Sequence, residues 1–226
     1  MRPPVTRGRR DNTQIDPVGD PACEIIADSY SYDPLPLNTV IEAAASGSRD
    51  WRLERIRVTA AYGGEVLPLY LYLPESASPP FQTVVYFPGG GAQNSDNIES
   101  ESYFVDFVVK SGRALLFPIY IGTFERRDVP DPEGKAAWRE RTRPEHLDLA
   151  RALDYLLSRE DFDPERIAYY GFSWGAWMSP LNIALEERIK VGVLVCGGLP
   201  MWQVGNPEEE PINFLPRVKV PILMIN

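Results

Sequence analysis

From residue 80 to its end, the chain alternates short apolar runs with stretches of helical periodicity. The runs at 83–87, 114–119, 167–170, 191–196 and 220–225 are strand-sized and bounded by turn residues. Runs of this kind predict a mainly parallel sheet covered by helices on both faces, an α/β architecture. Between the first two runs, Asp96 with Glu99 three residues on opens a predicted helix that buries Phe104, Phe107 and Val108. A second helix is predicted where Thr142 and Glu145 stand at capping-box spacing, Pro144 falls in the first turn, and Leu149, Leu153 and Leu156 share one face. Upstream, Ile56 and Val58 alternate with charges, Tyr62-Gly63-Gly64-Glu65 offers a turn, and Leu67, Leu69, Leu71 and Leu73 recur at period two. That pattern predicts an antiparallel N-terminal hairpin.

Two stretches break the rhythm. Residues 1–48 are rich in Pro, Asp and small polar residues, with one helix-like patch at 38–45, and read as an extended arm or linker ahead of a domain spanning 49–226. Residues 120–141 are polar and too long for a plain connection. With Arg126, Arg127, Arg139 and Arg141 among them, they are predicted to fold over one edge of the sheet.

A chain of 226 residues buries about 70% of its unfolded surface, enough for a core without staples. Cys23 and Cys196 therefore need not pair. Neither has a second Cys or His146, the one histidine, at ligand spacing, which argues against a zinc site. The formal charge is −9, and outside Arg2, Arg7, Arg9 and Arg10 the basic residues do not cluster, so nucleic acid is a poor partner. No apolar run of signal-peptide length follows that first cluster, so a cytoplasmic location is expected. The longest apolar runs fall far below the roughly 20 residues of a membrane helix.

Chemistry concentrates at Gly171-Phe172-Ser173-Trp174-Gly175, between a predicted strand and a helix-like stretch reaching Leu185. A serine at so sharp a turn needs small neighbours two residues to either side, because a Cβ at Gly171 or Gly175 would strike the adjoining strand and helix. The helix start also aims unpaired N–H groups toward developing negative charge. Pro88-Gly89-Gly90-Gly91 follows the strand at 83–87 and leaves backbone N–H groups bare. One of them, on Gly90 or Gly91, would share an oxyanion with the Trp174 N–H.

These residues resemble the α/β-hydrolase superfamily over about 51–226. The likeness is greatest to the branch holding prolyl-oligopeptidase-type peptidases, acetyl esterases and dienelactone hydrolases. The Tyr-Phe-Pro-Gly-Gly run at 86–90 is similar to hydrolase domains appended to some bacterial serine/threonine kinases, which implies an attached signalling domain in the parent protein. The resemblance implies that Ser173 is the nucleophile, that Trp174 and Gly90 or Gly91 form the oxyanion hole, and that Gly171 and Gly175 shape the turn. It further implies a cofactor-free serine hydrolase acting on a small-molecule ester through an acyl-enzyme. Cleavage of peptides in the prolyl-oligopeptidase manner, or a noncatalytic binding module, are the alternatives.

In that family the acid and the His follow the nucleophile in the chain. No His follows Ser173 here, and the chain stops at Asn226, on the run matching the family's seventh strand. The expectation is an incomplete domain, lacking its last strand, last helix and two triad members, and inactive alone. His146 is expected on a helix packed against the sheet, solvated or helix-terminal. Glu208, Glu209 and Glu210 read as a solvated charge run. Tyr120 and Arg126 follow a strand on the carboxyl side of the sheet, where open α/β sheets bind ligands, and are candidates for substrate contact; for Arg126 a surface ion pair is the competing reading. Trp138, Trp174, Trp177 and Trp202 are candidate pocket aromatics, of which only Trp174 is singled out by its position.

Overall fold

The computed structural model describes residues 10–45, 48–130, 136–199 and 206–226. Arg2, Arg7, Arg9 and Trp202, named above, lie outside the described residues. One sheet holds β1 (Val40–Ala45), β2 (Trp51–Thr59), β3 (Val66–Pro74), β4 (Phe81–Phe87), β5 (Ala114–Pro118), β6 (Phe162–Phe172), β7 (Val191–Val195) and β8 (Ile222–Ile225). Their order is β1-β2-β3-β5-β4-β6-β7-β8. The pairs β1·β2, β2·β3 and β3·β5 are antiparallel; every pairing from β5 through β4, β6 and β7 to β8 is parallel. The opening hairpin is in register from Trp51 opposite Pro74 to Thr59 opposite Val66. Its turn requires left-handed backbone at Gly63 (φ 62°) and Gly64 (φ 66°), where a side chain would be strained.

Period-two alternation sorts the strands' side chains between two cores. Leu67, Leu69, Leu71 and Leu73 of β3, Val85 and Phe87 of β4, and Ile167 and Tyr169 of β6 face α3 (Arg143–Leu157) and α4 (Trp174–Leu185). Val84, Tyr86, Leu115, Phe117 and Tyr170 face α2 (Ser102–Lys110) on the other side. Full burial of each such leucine contributes about 2 kcal/mol. A third cluster joins Ile26 and Tyr30, on and just after α1 (Asp20–Asp28), to Trp138, Leu181 of α4 and Phe214 of the single turn α5 (Pro211–Phe214).

Four local expectations change. The patch at 38–45 is strand β1 rather than helix, with Val40 and Ile41 paired to Arg57 and Ile56. So short a helix is marginal alone, whereas a strand gains the open hydrogen-bonding edge of β2. The helix predicted to open at Asp96 starts instead at Ser102, behind a 3-10 turn at Ile98–Glu101. Asn97, not Asp96, accepts from the Glu99 N–H (2.9 Å), and Phe107 is exposed at the rim of a groove, edge-on to Tyr170. Thr142 does not cap α3, because a π-helical turn at Trp138–Thr142 runs straight into that helix. Finally, part of the segment at 120–141 lies over the carboxyl ends of the strands rather than over an edge, since Ala137 and Arg141 share a cleft with Ser173. Among the described residues, no helix is long and apolar enough to cross a membrane.

Besides His146, helix α3 buries two carboxyl groups and a guanidinium, those of Glu145, Asp148 and Arg151. Asp148 accepts from Arg126 (2.7 Å), the Ile121 N–H (2.9 Å) and the Tyr62 hydroxyl (2.9 Å); burial still pushes its carboxyl up to about 6. Among the described residues, Glu145 pairs with Arg141 (3.4 Å) while its second oxygen is unpartnered, and burial pushes it up to about 8. Arg151 donates to the carbonyls of Leu35 (2.6 Å), Pro36 (2.8 Å) and Thr59 (2.8 Å) and pairs with Asp154 (3.0 Å), pinning the N-terminal segment and the end of β2 to α3.

Arg151→Leu should cost about 2–4 kcal/mol, because it strands three carbonyls and removes a charge-assisted network; an unchanged urea midpoint would show that those bonds stabilise nothing. Glu145 sets a pH dependence of stability. Its folded value near 8 lies above the ordinary 4.5, so between these pH values the folded chain keeps a proton that the unfolded chain has released. Stability should be full below pH ~4.5 and fall toward pH ~8, by up to about 1.4 kcal/mol per pH unit; Asp148 acts in the same sense below pH ~6. Urea unfolding of Glu145→Gln should show a flatter profile between pH 6 and 8 than the parent chain.

Candidate active site

Strand β6 ends at Phe172 and α4 begins at Trp174, leaving Ser173 alone to make the reversal, with φ 49° and ψ −101°. A non-glycine residue in that conformation carries about 1–3 kcal/mol of strain, which its surroundings must offset. Three backbone hydrogen bonds fix the turn: Ser173 N–H to Val195 O (2.8 Å), Gly175 N–H to Pro88 O (3.1 Å) and Trp177 N–H to Ser173 O (2.9 Å). The backbones around it approach too closely for side chains. A Cβ on Gly171 would lie 2.6 Å from the Gly175 carbonyl, and one on Gly175 would lie 2.2 Å from Phe87 O. Ser173 is consequently exposed above the carboxyl ends of β4 and β6.

The glycine loop leaves β4 beside this turn. A Cβ on Gly89 would meet the Phe172 ring at 2.9 Å and Ser173 Cβ at 3.5 Å, whereas Gly90 and Gly91 face open space. Gly90 opens a 3-10 turn at Gly90–Asn94, as Trp174 opens α4. The first N–H groups of such turns have no acceptor within them. Gly90, Ser173 and Trp174 line one cleft of about 590 Å³; Gly91 is exposed outside it.

The other walls of the cleft come from segments distant in sequence. Arg141 lies with its guanidinium carbon 4.2 Å over the Trp174 ring and its Nε 3.4 Å from Glu145 Oε1. Trp177, one turn along α4, adds a second indole. Cys196, Gly197 and Gly198 enter after β7, and Cys196 is exposed with φ 55°. Glu209 is held by Asn206 Nδ2 (3.1 Å) and Thr142, and partial burial raises its carboxyl. A second groove of equal volume lies by α2 and the amino ends of β6 and β7, away from Ser173.

Several candidates lie elsewhere. Tyr120 is wholly buried, stacked on Phe87 (4.0 Å), with its hydroxyl donating to Tyr86 O (3.2 Å). Arg126 is committed to Asp148 (2.7 Å), the Tyr62 hydroxyl (2.7 Å), Glu65 (2.9 Å) and Ile119 O (2.8 Å), so it braces α3 against the hairpin turn. Neither lines the cleft. His146 is buried rather than solvated, with Nδ1 3.1 Å from Asn182 Oδ1 and its ring edge-on to Tyr30; burial lowers its pKa. The glutamates at 208–210 are not a solvated run either, since Glu209 lines the cleft and Glu210 pairs with Arg10 (2.7 Å). Trp138 packs in the third core cluster and Cys23 is buried. Trp177, a candidate pocket aromatic, does line the cleft, whereas Gln93, Arg141, Cys196 and Glu209 are cleft residues that no motif marks. Among the described residues, no group of three or more His, Cys, Asp or Glu is arranged to hold a metal ion.

No protein-family model matches the chain. A Bacillus subtilis (strain 168) protein carrying the provisional name hydrolase YtaP is 31% identical over 151 residues, covering 59% of this chain and 49% of the relative. The chain thus spans about half the length of that curated relative. Among solved structures, acetyl xylan esterase 1 from Thermoanaerobacterium sp. JW/SL YS485 superposes with a TM-score of 0.70 at 14% identity, covering 93% of this chain and 79% of that one. An acetyl xylan esterase from Paenibacillus sp. R4 gives 0.58 at 20% identity, covering 87% and 66%. A Klebsiella pneumoniae protein provisionally named dienelactone hydrolase gives 0.55 at 18% identity, covering 74% and 70%. With its mixed, mainly parallel eight-stranded sheet and its strand–Ser173–helix turn at the carboxyl edge, the chain has the α/β-hydrolase fold.

Proposed function

We propose that the chain carries the nucleophile and oxyanion donors of a serine hydrolase acting on carboxylic esters. The observation that carries the reading is the strained, exposed Ser173, locked between two glycines at the start of α4 and sharing a cleft with Gly90. Strain at one solvent-facing hydroxyl, maintained by backbone contacts on every side, is characteristic of a residue held for chemistry. Ser173 Oγ attacks the acyl carbon, and the carbonyl oxygen takes up the negative charge between the Trp174 and Gly90 N–H groups. The alcohol leaves with a proton, and water then cleaves the acyl-enzyme to release the acid and restore Ser173. The superposed acetyl xylan esterases favour an ester over an amide.

The proton acceptor is not among the described cleft residues. His146 is buried with its ring against Asn182, and Glu209 is the one carboxylate lining the cleft among them. A serine hydroxyl without a base is a weak nucleophile, so turnover by this chain alone should be slow. The absence of an imidazole from the described cleft also favours a second reading, a noncatalytic domain that only binds its ligand.

A fluorophosphonate separates the two readings, because phosphonylation with loss of fluoride requires a serine hydroxyl that the site activates, which a binding module does not supply. Intact-mass measurement should show a slow single adduct that is lost in Ser173→Ala; an adduct persisting in that variant, or none in the parent chain, would refute the nucleophile assignment. Gly89→Ala drives a methyl into the Phe172 ring and displaces the loop, so labelling should slow by about 10²-fold, the scale of losing an oxyanion donor. At Gly90 or Gly91 the same change meets open space and should cost less than about tenfold.

A further inference from the structure

Helix α4 has to aim the Trp174 N–H, yet its own residues hold its first turns weakly. The Ser173 side chain does not cap it, Gly175 stands next to its first residue, and Pro180 lies inside it. Glycine is among the poorest helix formers, and proline removes the N–H that the carbonyl four residues back would accept. That carbonyl belongs to Ala176, and the Ser179 hydroxyl takes the missing place at 2.8 Å.

The first turn is held from outside the helix. Gly175 N–H donates to Pro88 O of the glycine loop (3.1 Å), while Gly175 O accepts from the Tyr169 hydroxyl (2.7 Å). Tyr169 lies on β6 shortly before Ser173 and is wholly buried, so its hydroxyl braces the strand to the helix across the serine turn. Asn182, further along α4 and equally buried, donates its Nδ2 to the same hydroxyl (3.3 Å). A phenol has one proton to give; with Asn182 donating to its oxygen, that proton is directed to Gly175 O. The Asn182 amide is oriented in turn by His146 of α3, whose Nδ1 lies 3.1 Å from Oδ1. Since Asn182 turns Nδ2 toward Tyr169, Oδ1 is the acceptor and His146 Nδ1 carries the proton. The buried histidine, which the proposed reaction does not use, thereby supports the serine turn.

We infer that Tyr169 is a positioning residue for the reaction at Ser173. Its hydroxyl fixes the first turn of α4 so that the Trp174 N–H points at the oxyanion, and Asn182 and His146 orient that hydroxyl. The reaction rests on the function proposed above; the hold of Tyr169 on the turn does not.

Two measurements on the full chain test this. By NMR relaxation, the Trp174 and Gly175 amides of the parent should have order parameters of about 0.85, and in Tyr169→Phe these should fall toward about 0.6 while amides of β3 stay unchanged. With the fluorophosphonate, the labelling rate at saturation should drop about three- to tenfold at an unchanged half-saturating concentration, the scale of one lost hydrogen bond. A role confined to overall stability would lower the urea midpoint and move neither reading in a chain that stays folded. 4-Aminophenylalanine at position 169 keeps a donor in place and should restore most of both. Asn182→Ala frees the hydroxyl without removing it, so it should move both readings in the same direction by less, and it gives an answer if Tyr169→Phe fails to fold. Order parameters unchanged in both variants, or a labelling rate unmoved in both, would overturn the inference. A parent chain that no fluorophosphonate labels would refute the hydrolase reading, and the order parameters alone would then decide whether Tyr169 holds the turn.

Discussion

The closeness of three backbones decides the rest of the site. Where β4, β6 and α4 converge, a Cβ on Gly175 would lie 2.2 Å from the Phe87 carbonyl oxygen and one on Gly171 would lie 2.6 Å from the Gly175 carbonyl. Only bare backbone fits there, so the helix must begin immediately after the strand, and the single residue between them is forced to positive φ. The Ser173 N–H bond to Val195 O and the Gly175 N–H bond to Pro88 O distribute that strain over β7 and the glycine loop. Exposure of the Ser173 hydroxyl and the position of the loop beside it are thus consequences of one steric fit.

That fit was legible in the sequence because it is local. Gly171, Ser173 and Gly175 fall within five residues, and the strand and helix flanking them announce themselves by apolar runs and periodicity. The hairpin was legible for the same reason, with Leu67, Leu69, Leu71 and Leu73 on one face and Gly63-Gly64 at the turn. Strand β1 was not: the residues from Val40 to Ala45 suit a short helix as well as a strand, and only the free edge of β2 decides between them. Thr142 misled because a capping box describes a helix with a fresh start, and here the preceding π-helical turn already supplies acceptors.

The cleft walls were illegible for a further reason. Arg141 with Thr142, Cys196, and Glu209 come from three segments far apart in the chain and meet only once α3, β7 and the 206–210 segment are in place. Tyr120 and Arg126 show the converse error. A position after a strand on the carboxyl side of the sheet is where ligands bind in open α/β folds, yet packing on Phe87 draws Tyr120 into the scaffold, and bonds to Asp148 and the hairpin turn do the same for Arg126. The topology singles out the region, and the partners of each side chain then decide whether it faces substrate or the core.

Helix α3 joins the scaffold to the chemistry. Asp148 and Arg151 spend their buried charge on the hairpin and the N-terminal segment, fixing the helix against β2, β3 and β5. Glu145, on the same helix, reaches Arg141, which lies on Trp174 beside Ser173. A shift of α3 would therefore be felt at the serine turn through a chain of contacts, with no side chain of α3 itself needing to touch a substrate. Buried ionisable groups are costly, and a hydrophobic face on α3 would hold the fold at lower cost. Placing two carboxyl groups and a guanidinium on the helix that continues from the turn carrying Arg141 couples the rigidity of the scaffold to the polarity of the cleft.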